Sequence, residues 1–124
     1  RQNICFGCPD ATDQQLWRAV QIAGIEDFIK ELPDGMDTIL GERGLGLSEG
    51  QVQRLSIARG VLCDAPIILL DEATSALDEK TEQQVLSNLR QLPDKTCVCV
   101  SHRRAALAVC DRVFEIKNGQ FVQR

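Results

Sequence analysis

Two uninterrupted apolar runs with an amphipathic helical pattern between them constrain the fold of this chain more than any other feature. Residues 67–70 (Ile-Ile-Leu-Leu) and 97–100 (Cys-Val-Cys-Val) are typical of strands that are buried on both faces. Between the runs, Asp78 can cap a helix whose apolar residues are Val85, Leu86, Leu89 and Leu92. A strand, a helix and a second strand form a right-handed βαβ unit, so we predict that the two strands are parallel.

Helical signals dominate residues 1–64, which we separate from the sheet-bearing residues 65–124. The first predicted helix is capped by Asp10 or Thr12, because both residue types supply a side-chain oxygen to free backbone amides. A short second helix covers residues 26–32 and ends at a Pro-Asp-Gly turn.

The third predicted helix begins with a capping box. Ser48 stands three residues before Gln51, and the helix runs to about Cys63. Its free amide groups and the positive end of its dipole form an anion site, and Gly50 allows a phosphate to approach closely. An ordinary helix cap without a ligand is the alternative. The residues predicted to form its buried stripe are Val52, Leu55, Ala58, Val61 and Leu62.

The C-terminal residues predict a short helix and a β-hairpin. Residues 103–110 are helical in pattern, and strands 113–116 and 120–123 flank the turn dipeptide Asn118-Gly119. The chain is therefore predicted to be an α/β protein, with a helical region, a parallel βαβ core and a terminal hairpin.

Charge and composition exclude several classes of protein. The 124 residues carry 14 Lys and Arg against 18 Asp and Glu, a net charge of −4, which argues against nonspecific binding to nucleic acid or anionic lipid. The longest apolar run, residues 65–70, is too short to cross a bilayer, and no signal peptide is evident. Because the chain starts at Arg1 rather than Met, we interpret it as a piece of a longer protein.

The six cysteines indicate reduced thiols in a cytosolic protein. Cys5 and Cys8 have the spacing of half a zinc site, but no second such pair follows, so a metal site is the less favoured alternative. Cys97 and Cys99 are predicted to be small core residues of a buried strand.

Polar residues follow each of the two predicted parallel strands. Asp71 and Glu72 end the first strand, and Ser101 and His102 end the second. Ligands of open parallel sheets bind beyond the carboxyl ends of the strands, so this edge is the predicted site. Adjacent carboxylates suit a metal ion and acid–base chemistry. The alternative is that the carboxylates begin a solvated loop and the histidine caps a strand.

In this order, these motifs resemble the second half of an ATP-binding-cassette (ABC) nucleotide-binding domain, a P-loop NTPase-like fold. The resemblance runs nearly end to end. Residues 47–51 resemble the signature motif, 67–72 resemble Walker B and its following glutamate, 75–78 resemble the D-loop, and Ser101-His102 resembles the switch histidine.

Two further segments resemble the exporter type of this domain. Residues 38–44 are similar to the loop that contacts the coupling helices of the transmembrane domain, and residues 3–7 are similar to the segment that follows the Q-loop. The resemblance thus implies a helical subdomain over 1–64, followed by the distal half of a RecA-like core over 65–124.

The resemblance also implies catalytic roles at the edge of the sheet. Asp71 would hold Mg²⁺ through water, Glu72 would polarise the attacking water, and His102 would contact the γ-phosphate of ATP.

Further residues would act between subunits. Ser48, Gly50 and Gln51 would close on ATP that is held by a second nucleotide-binding domain, and Asp78 would cross the dimer interface. The implied partners are that second domain and the transmembrane domain, with no nucleic acid. The expected location is the cytoplasmic face of the cell membrane for the parent, whereas the piece itself would be soluble.

Two departures from the family pattern bear on activity. Glu49 stands where the commonest signature has glycine, which places a carboxylate near a triphosphate. No Gly-Lys dipeptide occurs, so the Walker A loop is missing, as are the adenine-stacking aromatic residue and the Q-loop glutamine. We therefore expect the chain alone neither to bind ATP tightly nor to hydrolyse it. The missing P-loop strand is also expected to leave an apolar strand edge that self-associates.

Two other functions remain open. The head of a chromosome-maintenance or DNA-repair ATPase also separates these motifs from the P-loop, but the heptad-bearing helix expected before Ser48 is lacking. The second alternative is a non-catalytic interaction module that kept the fold and lost the activity. The presence of Glu72 and His102 argues against it, because neither residue is needed for packing.

Overall fold

The computed structural model describes residues 1–41 and 46–124. The glycine-rich segment 41–46 and the exporter-type loop 38–44 therefore lie in part outside the described residues. Two short 3₁₀ helices occupy Cys5–Gly7 and Gly35–Asp37. The other elements are α1 (Asp13–Ile22), α2 (Glu26–Glu31), α3 (Glu49–Leu62), β1 (Ile67–Asp71), α4 (Glu79–Arg90), β2 (Thr96–Val100), α5 (Arg104–Ala108), β3 (Phe114–Lys117) and β4 (Gln120–Gln123).

Helix α1 begins at a capping box. Thr12, rather than Asp10, is the cap: its hydroxyl accepts from the Gln15 amide at 3.3 Å, and the Gln15 side chain accepts from the Thr12 amide at 2.8 Å. This reciprocal pairing satisfies amides that the first turn leaves free. Leu16, Ala19 and Val20 are buried on the inner face.

Helix α3 is capped by Ser48 as predicted, but its buried face differs from the predicted stripe. Ala58 is buried as expected, together with Ile57, which the stripe omitted. Val52 is 42% exposed, and Leu55, Val61 and Leu62 are only partly buried. Because apolar residues occur on several sides of this helix, periodicity alone did not identify the face that packs on its neighbours.

Strands β1 and β2 are parallel, as predicted from the βαβ pattern, and Leu69 is the register partner of Val98. The prediction that both faces are covered is wrong. Ile68 and Leu70 belong to the core that includes α4, whereas Ile67 and Leu69 on the other face are 58% and 73% exposed. Helices of the described residues cover only one face of this two-stranded sheet.

The cysteines of β2 are a second correction. Cys97 is exposed and Cys99 is half-buried, so neither is a fully buried core residue. Val98 and Val100 extend the exposed apolar face of β1. The expected self-association through this part of the sheet stays a prediction.

Helix α5 is shorter than the predicted 103–110 and is followed by the expected hairpin. Strands β3 and β4 are antiparallel, with β3 starting one residue later than predicted. Asn118 and Gly119 have φ angles of 51° and 77°, which are the left-handed values that a tight two-residue hairpin turn requires.

In the ranges 1–41 and 46–124, His, Cys, Asp and Glu side chains do not gather in any group of three or more that could hold a metal ion. None of the helices described there is long and apolar enough to span a bilayer.

Candidate functional site

Glu72 and His102 lie side by side at the carboxyl edge of the parallel sheet. The Glu72 amide donates to the Val100 carbonyl at 3.1 Å, which extends the strand pairing past the end of β1. Nδ1 of His102 lies 3.2 Å from Oε1 of Glu72. The side chain of His102 is 82% exposed and that of Glu72 is 44% exposed, so the edge is open to a ligand. Parallel strand polarity places both groups at this edge, as the sequence predicted.

The backbone of Glu72 is in the left-handed region, with φ at 49°. The other non-glycine residues with positive φ in the described ranges are Asp and Asn, which tolerate that conformation better. A left-handed glutamate costs about 1–2 kcal/mol. Such strain is concentrated at functional sites. Here the turn directs the chain from the sheet into the loop that begins at Ala73.

Asp71 occupies the last position of β1 and is exposed. Its register partner is Val100. Asp71 and Glu72 are consecutive residues whose side chains are both accessible at this edge, where an oxygen-liganded cation could reach them.

The start of α3 forms a second group of predicted site residues. Ser48 and Gly50 line an open cleft together with Asp78, at the beginning of α4. A Cβ atom on Gly50 would lie 3.2 Å from the Ala76 carbonyl oxygen and 3.2 Å from Cδ2 of Leu77. Glycine thus lets α3 pack directly against the loop that follows Glu72.

Gln51 and Glu49 occupy different positions around this cleft. Gln51 completes the cap of α3, because its side-chain oxygen accepts from the Ser48 amide at 2.8 Å. Glu49 lines the cleft beside Arg54, whose guanidinium donates to the carbonyl groups of Gly50 and Gly24 at 3.3 and 2.6 Å. The cleft therefore presents both a carboxylate and a cation.

Asp78 caps α4, as predicted. One carboxylate oxygen accepts from the Thr81 amide at 3.0 Å, and the other accepts from the Thr81 hydroxyl at 2.6 Å. These hydrogen bonds, the side-chain bond first, hold the pKa of Asp78 below its usual value.

Three residues that the sequence did not single out organise the loop between these two groups. Arg103 donates to the Thr74 and Leu77 carbonyl groups at 2.8 Å each. Glu82 is fully buried and accepts from the Thr74 hydroxyl at 2.7 Å. Gln53 reaches the same loop from α3. The adjacency of Arg103 to His102 was the one available sequence signal.

The sequence profile of the ABC transporter family matches residues 2–75, and the chain belongs to that family of ATP-binding proteins. Its fold matches that of a bacterial Atm1-family ABC exporter with ATP bound, with a TM-score of 0.87 and 41% identity over 97% of this chain and 21% of that one.

Curated relatives agree with this assignment. The chain is 45% identical to the multidrug resistance-like ATP-binding protein MdlA of Escherichia coli, over 98% of this chain and 21% of the relative. It is also 45% identical to the ATP-dependent lipid A-core flippase of Desulfotalea psychrophila, over 99% of this chain and 22% of the relative. The chain therefore spans about a fifth of the length of these proteins.

Proposed function

We propose that this chain is the distal half of the ATP-hydrolysing domain of an ABC exporter, with a helical subdomain over 1–64 and part of the RecA-like core over 65–124. The observation that supports the proposal most directly is the contact between Glu72 and His102 at 3.2 Å, at the ligand-binding edge of a parallel sheet. An Atm1-family exporter and a lipid A-core flippase match it along nearly its whole length.

Glu72 acts on the attacking water in this proposal. Its carboxylate accepts a hydrogen bond from that water, and the contact with His102 orients one of its oxygens. His102 also contacts the γ-phosphate. Phosphoryl transfer depends mainly on such positioning and charge stabilisation, so two exposed polar groups on rigid strand ends suffice for this part of the site.

Asp71 and Glu72 fit the Mg²⁺ ion that the family implies. In phosphate sites Mg²⁺ is held by one or two carboxylates together with phosphate oxygens and water, and the two adjacent carboxylates here are accessible at the end of β1. When bound, the ion neutralises charge on the phosphate oxygens. Asp71 would hold it, through water.

The cleft at the start of α3 serves a second nucleotide-binding domain. Ser48, Gly50 and the amides of the first helical turn face a phosphate that the partner domain holds, while Gln51 supports that turn through the cap. Asp78 lies at the same cleft and communicates across the dimer. The remaining partner is a transmembrane domain, which places the parent at the cytoplasmic face of the membrane.

The test restores the missing P-loop. Fused behind the P-loop-bearing half of a related exporter domain, this chain is expected to give Mg-dependent ATPase activity, whereas the 124-residue chain alone neither binds Mg-ATP with micromolar affinity nor turns it over. Glu72→Gln should lower kcat of the fusion by about 10²–10⁴-fold, the usual contribution of a general base.

Glu31→Gln is the matched control, because Glu31 is an exposed carboxylate at the end of α2. It should leave kcat unchanged. Equal turnover in wild-type and Glu72→Gln fusions, or a fusion without turnover, contradicts the proposal.

A further inference from the structure

Gln53 uses both ends of its side-chain amide to bind the loop that follows Glu72. Its Nε2 donates to the Ser75 hydroxyl at 2.8 Å, and its Oε1 accepts from the Ala76 amide at 2.9 Å. The two bonds join α3 to a segment more than 20 residues further along the chain. One side chain thus fixes both a side chain and a backbone group of the same loop.

The Ala76 amide depends on Gln53 in a way that its neighbours do not. The amides of Ser75 and Leu77 donate to the carbonyl groups of Glu72 and Thr74 within the same turn, both at 3.1 Å. The Ala76 amide instead donates to the side chain of Gln53. The middle of the loop is thus oriented from α3 and not by the turn itself.

Gln53 lies just over one helical turn beyond Ser48, and a helix moves as a rigid rod over that distance. A displacement of the Ser48 end therefore moves the Gln53 amide with it. A Cβ atom added to Gly50 would lie only 3.2 Å from the Ala76 carbonyl oxygen, so there is little free space between the helix and the loop. The other side of the loop is held by Arg103, next to His102.

We propose that Gln53 is a positioning residue that ties the start of α3 to the Glu72–His102 pair through the loop of residues 73–77. Binding of phosphate at the start of α3 thereby sets the position of the segment that leaves Glu72. The inference rests on the proposed ATPase function, because it assigns a role within that site.

The first test measures amide hydrogen exchange in the 124-residue chain. In Gln53→Met, which keeps the length of the side chain and removes both polar ends, the Ala76 amide should exchange about tenfold faster, as expected for loss of one hydrogen bond. The amides of Ser75 and Leu77 keep their turn acceptors and should change little. Equal exchange of Ala76 in wild type and variant overturns the proposal.

Two further variants sharpen this test. Gln53→Glu keeps an oxygen for the Ala76 amide and a second oxygen to which the Ser75 hydroxyl can donate, so protection of Ala76 should be retained. Gln84→Met is the matched control, because Gln84 is an exposed glutamine on α4 whose side chain donates to Asn88 of the same helix at 2.9 Å. It should leave Ala76 unchanged.

The second test uses the P-loop fusion described above. Gln53→Met should lower kcat about 10–100-fold while KM for ATP changes less than about twofold, because displacement of reacting groups by about 1 Å has this effect without loss of substrate contacts. Gln53→Glu should recover kcat to within about threefold of wild type, since it keeps the Ala76 bond.

The outcomes separate this inference from the proposed function. A wild-type fusion without turnover overturns the ATPase assignment, and the positioning role with it. An active fusion in which Gln53→Met keeps the wild-type kcat, or in which KM rises while kcat is unchanged, overturns the positioning role alone.

Discussion

Replacing Arg103 by methionine should destabilise the chain strongly, because it leaves a buried carboxylate without its cation. Glu82 is fully buried, and its Oε1 accepts from the Thr74 hydroxyl at 2.7 Å. Nε of Arg103 lies 3.3 Å from Oε2 with the geometry of an ion pair, and among residues 1–41 and 46–124 no donor forms a hydrogen bond to this oxygen.

The expected loss of stability depends on which partner is removed, because Glu82 is fully buried and Arg103 is only partly buried. Removing one partner of a buried ion pair costs about 3–5 kcal/mol, so Arg103→Met should lower the free energy of unfolding by that amount. Glu82→Gln keeps an oxygen for Thr74 and leaves an arginine whose side chain is 25% exposed, so it should cost only about 1–3 kcal/mol. The double variant should be more stable than Arg103→Met, with a coupling of about 1–3 kcal/mol.

Urea unfolding followed by circular dichroism tests this cycle. Arg104→Met is the control, since Arg104 is an exposed neighbour at the start of α5 and should shift stability by less than about 0.5 kcal/mol. If Arg103→Met is itself unfolded in buffer, recovery of cooperative unfolding in the double variant is the expected result. A cost below about 1 kcal/mol for Arg103→Met, or additive effects of the two substitutions, refutes the reasoning.

Two further predictions concern titration. The carboxylate of Asp78 has a lowered pKa, so its stabilising effect is full above the usual pKa of 3.8 and is lost as the pH falls through the lower folded-state pKa. The loss of stability between pH 5 and about 2 should therefore be shallower in Asp78→Asn than in wild type. An identical dependence of stability on pH in the two proteins contradicts this prediction. The pKa of Cys99 is raised to about 11, mainly by burial and to a smaller extent by the nearby Cys110. At pH 8 only about one Cys99 thiol in a thousand is therefore ionised. Mass spectrometry after brief iodoacetamide treatment should find Cys99 alkylated much more slowly than the exposed Cys63, and equal rates contradict the assignment.

Local sequence signals accounted for the element order and for the edge at which the site lies. The capping box at Ser48 and the Asn118-Gly119 turn each depend on a few adjacent residues whose backbone preferences act at short range. The strand–helix–strand order also requires parallel strands, which is why the juxtaposition of Glu72 and His102 could be predicted from the sequence.

Tertiary structure decided which faces are covered and which polar residues hold the loop. Glu82 is a charged residue outside the apolar stripe predicted for α4, yet it is fully buried, while the apolar Leu69 is 73% exposed. The bonds from Gln53 and Arg103 to the loop join residues 22 and 29 positions apart. Short-range preferences carry no information about such pairs, because they form only when separate elements pack together.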